Sequence, residues 1–235
     1  MSNTQDVIEA DVVEVTKKRK PRAKKETVEA TTTQQQPIIL QTSWYLDEMG
    51  TREQWCFASN IFTTEELDKI IETGENAELS SIMDEGRTAG KNNGVRSCQV
   101  SWINSMLPEN SWIFQRLTKA VVDINSKFFG YDLKNIDSLQ FTKYIGDTDD
   151  HYGKHCDMLY KSFTTRKLSF SLLLSEPTDY EGGDLLLHVA EKPDAPSKDR
   201  GTIVFFPSYA LHEVTPVTSG VRYSLVGWVS GPPFK

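Results

Sequence analysis

The chain is poor in the groups that would staple it, anchor it or hold it to phosphate. It has 3 cysteines in 235 residues, Cys56, Cys98 and Cys156, and none forms a CxxC pair. That excludes a disulfide framework and predicts free thiols in a reducing, cytoplasmic setting. No run of about 18 apolar residues occurs, so no membrane-spanning helix is predicted. The first residues, MSNTQDVIEADVVEV, lack a basic start and a long apolar stretch, so no secretory signal is predicted. Positive charge is also short: the net charge is −7. A chain that lives on phosphate contacts shows a basic surface, so nucleic acid is not the expected partner of its folded part. Histidine is scarce, with 4 in all, and each can be weighed singly. What remains is ordinary for a soluble globular protein, 38% hydrophobic and 25% charged,.

Residues 1–41 differ from the rest. They carry the basic run Lys17-Lys18-Arg19-Lys20-Pro21-Arg22-Ala23-Lys24-Lys25 and the polar run Thr31-Thr32-Thr33-Gln34-Gln35-Gln36. Few aromatics and no periodicity predict a disordered basic tail, with 42–235 as the folded domain. A nuclear address or a weak nucleic-acid contact is the functional reading of the basic run, and a solvated tail is the plain one. Thr63 and Glu66 stand at capping-box spacing, and Leu67, Ile70 and Ile71 give the helix they open an apolar face. A second helix follows Asn110 or Ser111 and stops at Gly130. Val95–Trp102 is strand-like. Beyond Gly130, strands near 138–145, 167–174, 184–189, 202–206 and 221–229 are divided by glycine and proline turns. Helices first and short strands after predict an α+β fold, a jelly roll backed by helices.

The chemistry gathers around His155-Cys156-Asp157. Side chains two apart in an extended segment share a face, so His155 and Asp157 can hold one ion while Cys156 turns away. Imidazole and carboxylate suit Fe(II) and related divalent metals. His212, 57 residues further on, is the best third ligand; several antiparallel strands fit between. His151 lies in the polar loop around Asp147–Asp150 and reads as an exposed loop residue. His188 ends an apolar strand and reads as structural or as part of a rim. The competing reading of the motif is a surface pair or a hydrogen-bonded histidine.

Arg222 follows His212 by ten residues, inside the strand Arg222-Tyr223-Ser224-Leu225-Val226-Gly227-Trp228-Val229. Arginine inside a sheet is costly unless paired with an anion. Its planar fork matches a carboxylate, and Ser224 on the same face can add a hydroxyl. A salt bridge to a protein carboxylate is the alternative.

In this order, His155 and Asp157, Glu181-Gly182-Gly183-Asp184, Phe206-Pro207-Ser208, His212, then Arg222-Tyr223-Ser224 and Trp228 resemble the Fe(II)/2-oxoglutarate-dependent dioxygenases. The nearest branch is the prolyl 4-hydroxylase-like group with its PKHD-type hydroxylases. The resemblance spans roughly residues 55–233. It implies a double-stranded β-helix, with iron on His155, Asp157 and His212 and the far carboxylate of 2-oxoglutarate on Arg222. Tyr144 and Tyr152 match tyrosines that line the cosubstrate pocket. The implied reaction hydroxylates a C–H bond with O2 and releases succinate and CO2, with ascorbate restoring the iron. The substrate is a prolyl or other protein residue, or a small molecule. Asp157 favours hydroxylation over halogenation, and the lack of a second arginine after Arg222 argues against nucleic-acid demethylation. Segments 84–102 and 146–166 are the expected substrate-lining loops, with 84–94 as a lid. The rival from another class is a catalytically inactive jelly-roll binding or structural protein.

Overall fold

The computed structural model describes residues 12–13, 53–83, 95–158 and 165–234. The tail, except for Val12 and Val13, and the expected lid lie outside the described residues, as do 159–164. The strands in chain order are β1 (Val12–Val13), β2 (Cys56–Ala58), β3 (Ser80–Met83), β4 (Arg96–Ile103), β5 (Asn135–Ile136), β6 (Leu139–Ile145), β7 (His151–His155), β8 (Thr165–Leu173), β9 (Tyr180–Gly182), β10 (Leu185–Leu187), β11 (Ile203–Pro207), β12 (His212–Val214) and β13 (Val217–Gly231). Two α-helices, α1 (Thr64–Asn76) and α2 (Ser111–Ile124), precede most of them.

Both helices begin and end for local reasons. The Thr63 hydroxyl accepts from the Glu66 amide at 3.2 Å and the Glu66 carboxylate accepts from the Thr63 amide at 3.0 Å. That reciprocal pair satisfies two amides that the first turn leaves without partners. α2 runs on into a π turn, Asn125–Phe129, and stops at Gly130, whose φ of +63° suits glycine,.

Every strand pairing among the described residues is antiparallel. The order β1-β2-β11-β8-β13-β6-β4 makes a broad first layer, with β3 on the outer edge of β4. The sheet then curls: β7 pairs with the start of β4 and carries β12 and β10 with it. The curled half lies over the broad layer. Leu185, Leu187 and Val214 from above pack with Val100, Tyr144, Val204 and Phe206 from below. This is the antiparallel jelly roll of a double-stranded β-helix, and the α+β expectation holds.

Strand alternation gives the broad layer two unlike faces. Toward the helices it presents Phe141, Leu168, Phe170, Leu172, Leu225 and Val229, which form one core with Leu67, Ile70, Ile113, Leu117 and Ile124. The opposite positions, among them Gln140, Thr142, Ser169, Ser171, Arg222 and Ser224, are buried and polar. This interior therefore holds a polar site beside the apolar inner core named above,.

Several boundaries differ from the sequence reading. His151 is not in a loop; it opens β7, and its Nδ1 lies 2.9 Å from the Asp149 carbonyl. Polar residues around Gly153 hide that strand from any apolar pattern. β13 begins at Val217 rather than near 221 because its first part pairs with β9. β2, β3, β9 and β12 are too short to leave a periodic signal.

Gly74 of α1 carries a test of the packing. A Cβ there would meet the Phe141 ring at 2.2 Å. Alanine is the better helix former by about 1 kcal/mol. Gly74→Ala nevertheless loses about 1–3 kcal/mol of stability in urea unfolding, because overpacking outweighs propensity. The thiols give a second check. Burial, with a contribution from Glu53, pushes Cys56 up to about 12, burial also raises Cys98, and Cys156 is exposed. A thiol reagent applied to the native chain at mildly alkaline pH therefore labels Cys156 alone, and all three only after unfolding.

Candidate metal centre and anion pocket

β7 and β12 lie side by side with His155 opposite His212. That register, not loop geometry, brings together residues distant in sequence. Asp157 sits two residues past the end of β7. Its amide and that of Met158 both donate to the Ser208 carbonyl, at 2.9 and 2.8 Å. The carboxylate oxygens then stand 3.6 Å from His155 Nε2 and 3.5 Å from His212 Nε2. One ligand atom from each of the three lies within 4.8 Å of the others. Ligands bound at about 2.1 Å in neighbouring positions of one ion are about 3 Å apart, so a small closure would seat a metal.

The hydrogen bonds fix the tautomers for that purpose. His155 Nδ1 is 2.8 Å from the Gly153 carbonyl and His212 Nδ1 is 2.9 Å from the Ala210 carbonyl. A carbonyl can only accept, so each Nδ1 carries the proton and each Nε2 offers its lone pair toward Asp157. Asp157 Oδ2 is buried and has no hydrogen-bond partner among the described residues. A carboxylate with one oxygen facing each imidazole, the Oδ2 oxygen orphaned beside His212, fits a divalent cation,. Burial pushes His212 below the ordinary histidine range against the pull of Asp157, keeping it neutral and able to ligate,. Burial alone would raise the Asp157 carboxyl; His155 and His212 beside it outweigh burial and hold the group below the usual range, so it stays a carboxylate.

Arg222 lies in the same cavity, which Tyr144, Tyr152, Ser224 and Trp228 also line. It is only 2% exposed. Its Nη1 donates to Ser224 Oγ at 3.2 Å, and its guanidinium carbon lies 5.3 Å from the centre of the Tyr144 ring. Nε is buried without a partner, and no Asp or Glu pairs with it among the described residues. The salt-bridge alternative is thus not what these residues form. Burial pushes the Tyr144 phenol well above its ordinary range, so it remains a hydroxyl donor,. A buried cation beside the Ser224 hydroxyl and the Tyr144 ring is complementary to a carboxylate,.

Tyr152 lines the cavity by stacking on His155, with ring centres 3.5 Å apart. Cys156 points away, its thiol donating to the Tyr209 carbonyl at 3.3 Å. His188 stands outside the cavity in a pair with Glu213 at 2.8 Å. Gln140, Ser171 and Phe206 also line the cavity; inward alternation along β6, β8 and β11 was the signal for them. Arg96 stacks over Tyr152 at 4.4 Å and has a buried Nη2 without a hydrogen-bond partner. It falls within the segment 84–102 expected to line the substrate, although no motif singled it out.

Known proteins agree with this arrangement. The profile of the 2OG-Fe(II) oxygenase superfamily matches residues 139–230. A PKHD-type hydroxylase of Crocosphaera subtropica is 32% identical, over 69% of this chain and 76% of its own length. Another from Gloeothece citriformis is 31% identical, over 72% and 77%. Among solved structures, a Pseudomonas putida prolyl-4-hydroxylase superposes with a TM-score of 0.58 at 19% identity, over 77% of this chain and 94% of that one. A viral collagen prolyl hydroxylase from Paramecium Bursaria Chlorella virus-1 gives 0.58 at 18%, over 76% and 97%. The fold and the cavity define an oxygenase of the double-stranded β-helix class. The chain belongs to the 2OG-Fe(II) oxygenase superfamily, in its PKHD-type hydroxylase branch. The family uses Fe(II) and 2-oxoglutarate, and the donor set described above suits both.

A buried charge without a counter-charge costs stability that a ligand would restore. Arg222→Met should raise the stability of the ligand-free chain by about 1–3 kcal/mol in denaturant unfolding. A fall in stability would mean that Arg222 has a structural partner instead.

Proposed function

We propose that the chain is an Fe(II)- and 2-oxoglutarate-dependent hydroxylase acting on a residue of a polypeptide, with prolyl the leading choice, and releasing succinate and CO2. One observation carries the reading: His155, Asp157 and His212 face the same cavity as a buried Arg222 that pairs with no carboxylate among the described residues. His155, Asp157 and His212 would hold the iron on one side and leave its other positions open. Arg222, Ser224 and Tyr144 would receive the far carboxylate of 2-oxoglutarate, and Tyr152 would brace His155. When bound, the iron supplies activation of O2 coupled to oxidation of the 2-oxo acid. The protein's share is orientation, exclusion of water and electrostatics. Asp157 fills the position that a halide would need, which supports hydroxylation. Ascorbate is the proposed reductant.

Charge supports a polypeptide substrate over a free amino acid. Asp157 and Arg222 are the only Asp, Glu, Lys or Arg side chains among the described residues lining the cavity, and both are assigned to metal and cosubstrate. A free amino acid would bring an ammonium and a carboxylate that find no further charged partner among the described lining residues, at considerable desolvation cost,. A residue within a chain carries neither. The names of the superposed prolyl hydroxylases favour proline. A further neighbour, a Trichoplax adhaerens prolyl hydroxylase solved with a hypoxia inducible factor peptide, has a TM-score of 0.55 at 17% identity, over 75% of this chain and 85% of that one. We assign the activity to a domain spanning 42–235 and place the protein in the cytoplasm. The basic tail would serve as a nuclear address or a weak nucleic-acid contact.

Anaerobic titration with Fe(II) and then 2-oxoglutarate should produce a visible metal-to-ligand absorption band. His212→Ala should abolish it by weakening the metal more than about 100-fold. An intact chain that gives no band sinks the reading. Mass spectrometry of cellular proteins for +16 Da products lost with His155→Ala then identifies the substrate.

A further inference from the structure

The Arg222 side chain runs past the turn between β9 and β10. That turn is Gly182-Gly183, with φ of +71° and +62°. A Cβ at Gly183 would stand 2.8 Å from Arg222 Cδ, 2.9 Å from Val217 Cγ2 and 3.2 Å from Tyr180 Cε2. Such separations force something to move. The turn itself has little freedom to do so. The Gly183 amide donates to the Pro216 carbonyl at 3.0 Å, and the Asp184 amide donates to Thr215 Oγ1 at 2.8 Å. Lys198 Nζ donates to the Gly182 carbonyl at 2.6 Å and pairs with Asp184 at 2.9 Å. β9 is also held in register against β13, with Gly182 opposite Val217. Val217 and Tyr180 are buried in the inner core. Arg222 is therefore the neighbour most able to yield, and its yielding would draw the guanidinium away from Ser224 and Tyr144.

We propose that Gly183 is a positioning residue for the cosubstrate: its lack of a side chain fixes the reach of Arg222, and so the recognition of a 2-oxo acid by its far carboxylate. The inference rests on the assignment of Arg222 to that carboxylate. A glycine here does two separable things. It permits the left-handed backbone, and it leaves the space that Arg222 Cδ occupies. Alanine removes both, whereas asparagine tolerates the left-handed region and still introduces a Cβ.

The test compares the intact chain with Gly183→Ala, Gly183→Asn and the control Gly201→Ala. Gly201 has a φ of +82°, and a Cβ there would meet only Leu67 Cδ1, at 3.2 Å. The Fe(II)-loaded proteins are titrated anaerobically with 2-oxoglutarate and with pyruvate, a 2-oxo acid lacking the far carboxylate. Both Gly183 variants should bind 2-oxoglutarate at least about tenfold more weakly, with Fe(II) and pyruvate affinities unchanged. In turnover the loss should fall on the KM for 2-oxoglutarate and not on kcat at saturation. Gly201→Ala should leave all of these affinities unchanged. Unaltered 2-oxoglutarate affinity in the Gly183 variants overturns the proposal. So does an equal loss for pyruvate or Fe(II), an equal loss in Gly201→Ala, or failure of both Gly183 variants to fold; each would make the role purely architectural. Failure of the intact chain to bind 2-oxoglutarate would instead remove the function proposed above.

Discussion

An arginine held almost wholly out of water, with no carboxylate among the described residues to pair it, is the constraint around which this interior is built. The desolvation cost of such a charge is several kcal/mol. Ser224 and the face of Tyr144 offset part of it. The rest is borne by two cores that have no comparable defect of their own. The helix-facing core is largely apolar, its buried Ser101 hydroxyl being satisfied on the Gly74 carbonyl, and it supplies the surplus. The inner core packs beside the cavity and limits the water around Arg222, which strengthens whatever interaction an incoming anion makes with it,.

The same strand supplies both requirements. Along β13, Leu225 and Val229 face the helices while Arg222, Ser224 and Trp228 face the cavity. Period-two alternation allows one segment to anchor the fold and present the site without a loop. The metal-facing side chains use a second device. His155 and His212 are neighbours because β7 and β12 pair, and a change in their register would carry one imidazole to the other face,. Asp157 lies beyond the strand and needs its own support, which two amides on the Ser208 carbonyl provide. The metal centre is thus placed by backbone pairing, and side-chain hydrogen bonds only set the tautomers.

This division accounts for what could be read from the residues. The capping box at Thr63, the stop at Gly130 and the apolar rows of the long strands are local signals, and they appear as expected. His155 and Asp157 do converge, but Asp157 stands past the end of the strand and is held by the Ser208 carbonyl, a tertiary contact that the two-residue spacing does not encode. β7 was not legible because its residues, His151, Tyr152, Gly153, Lys154 and His155, are half-buried or exposed and carry no apolar alternation. β12 has three residues and its pattern is too short to register. Tyr152 lines the cavity and also stacks on His155, and that stacking is a matter of ring orientation that spacing does not encode. The part of Gly183 was hidden for a further reason: a pair of glycines announces a turn, but only the tertiary approach of Arg222 gives that turn a consequence for binding.

Charge across the whole cavity links the two halves of the site. With neutral imidazoles, the ligand-free cavity holds one negative group at Asp157 and one positive group at Arg222. On the proposed assignment a divalent cation alone would leave an excess of two positive charges in a water-poor space. A dicarboxylate alone would leave an excess of two negative charges. Together they return the cavity to neutrality. Each ligand should therefore bind better after the other, a reciprocal coupling of electrostatic origin that requires no movement of the fold. Its strength depends on how well the far carboxylate reaches the guanidinium, so the geometry that Gly183 allows Arg222 bears on the affinity of the metal once the cosubstrate is present, even though the atoms nearest a side chain at Gly183 belong to Arg222, Val217 and Tyr180.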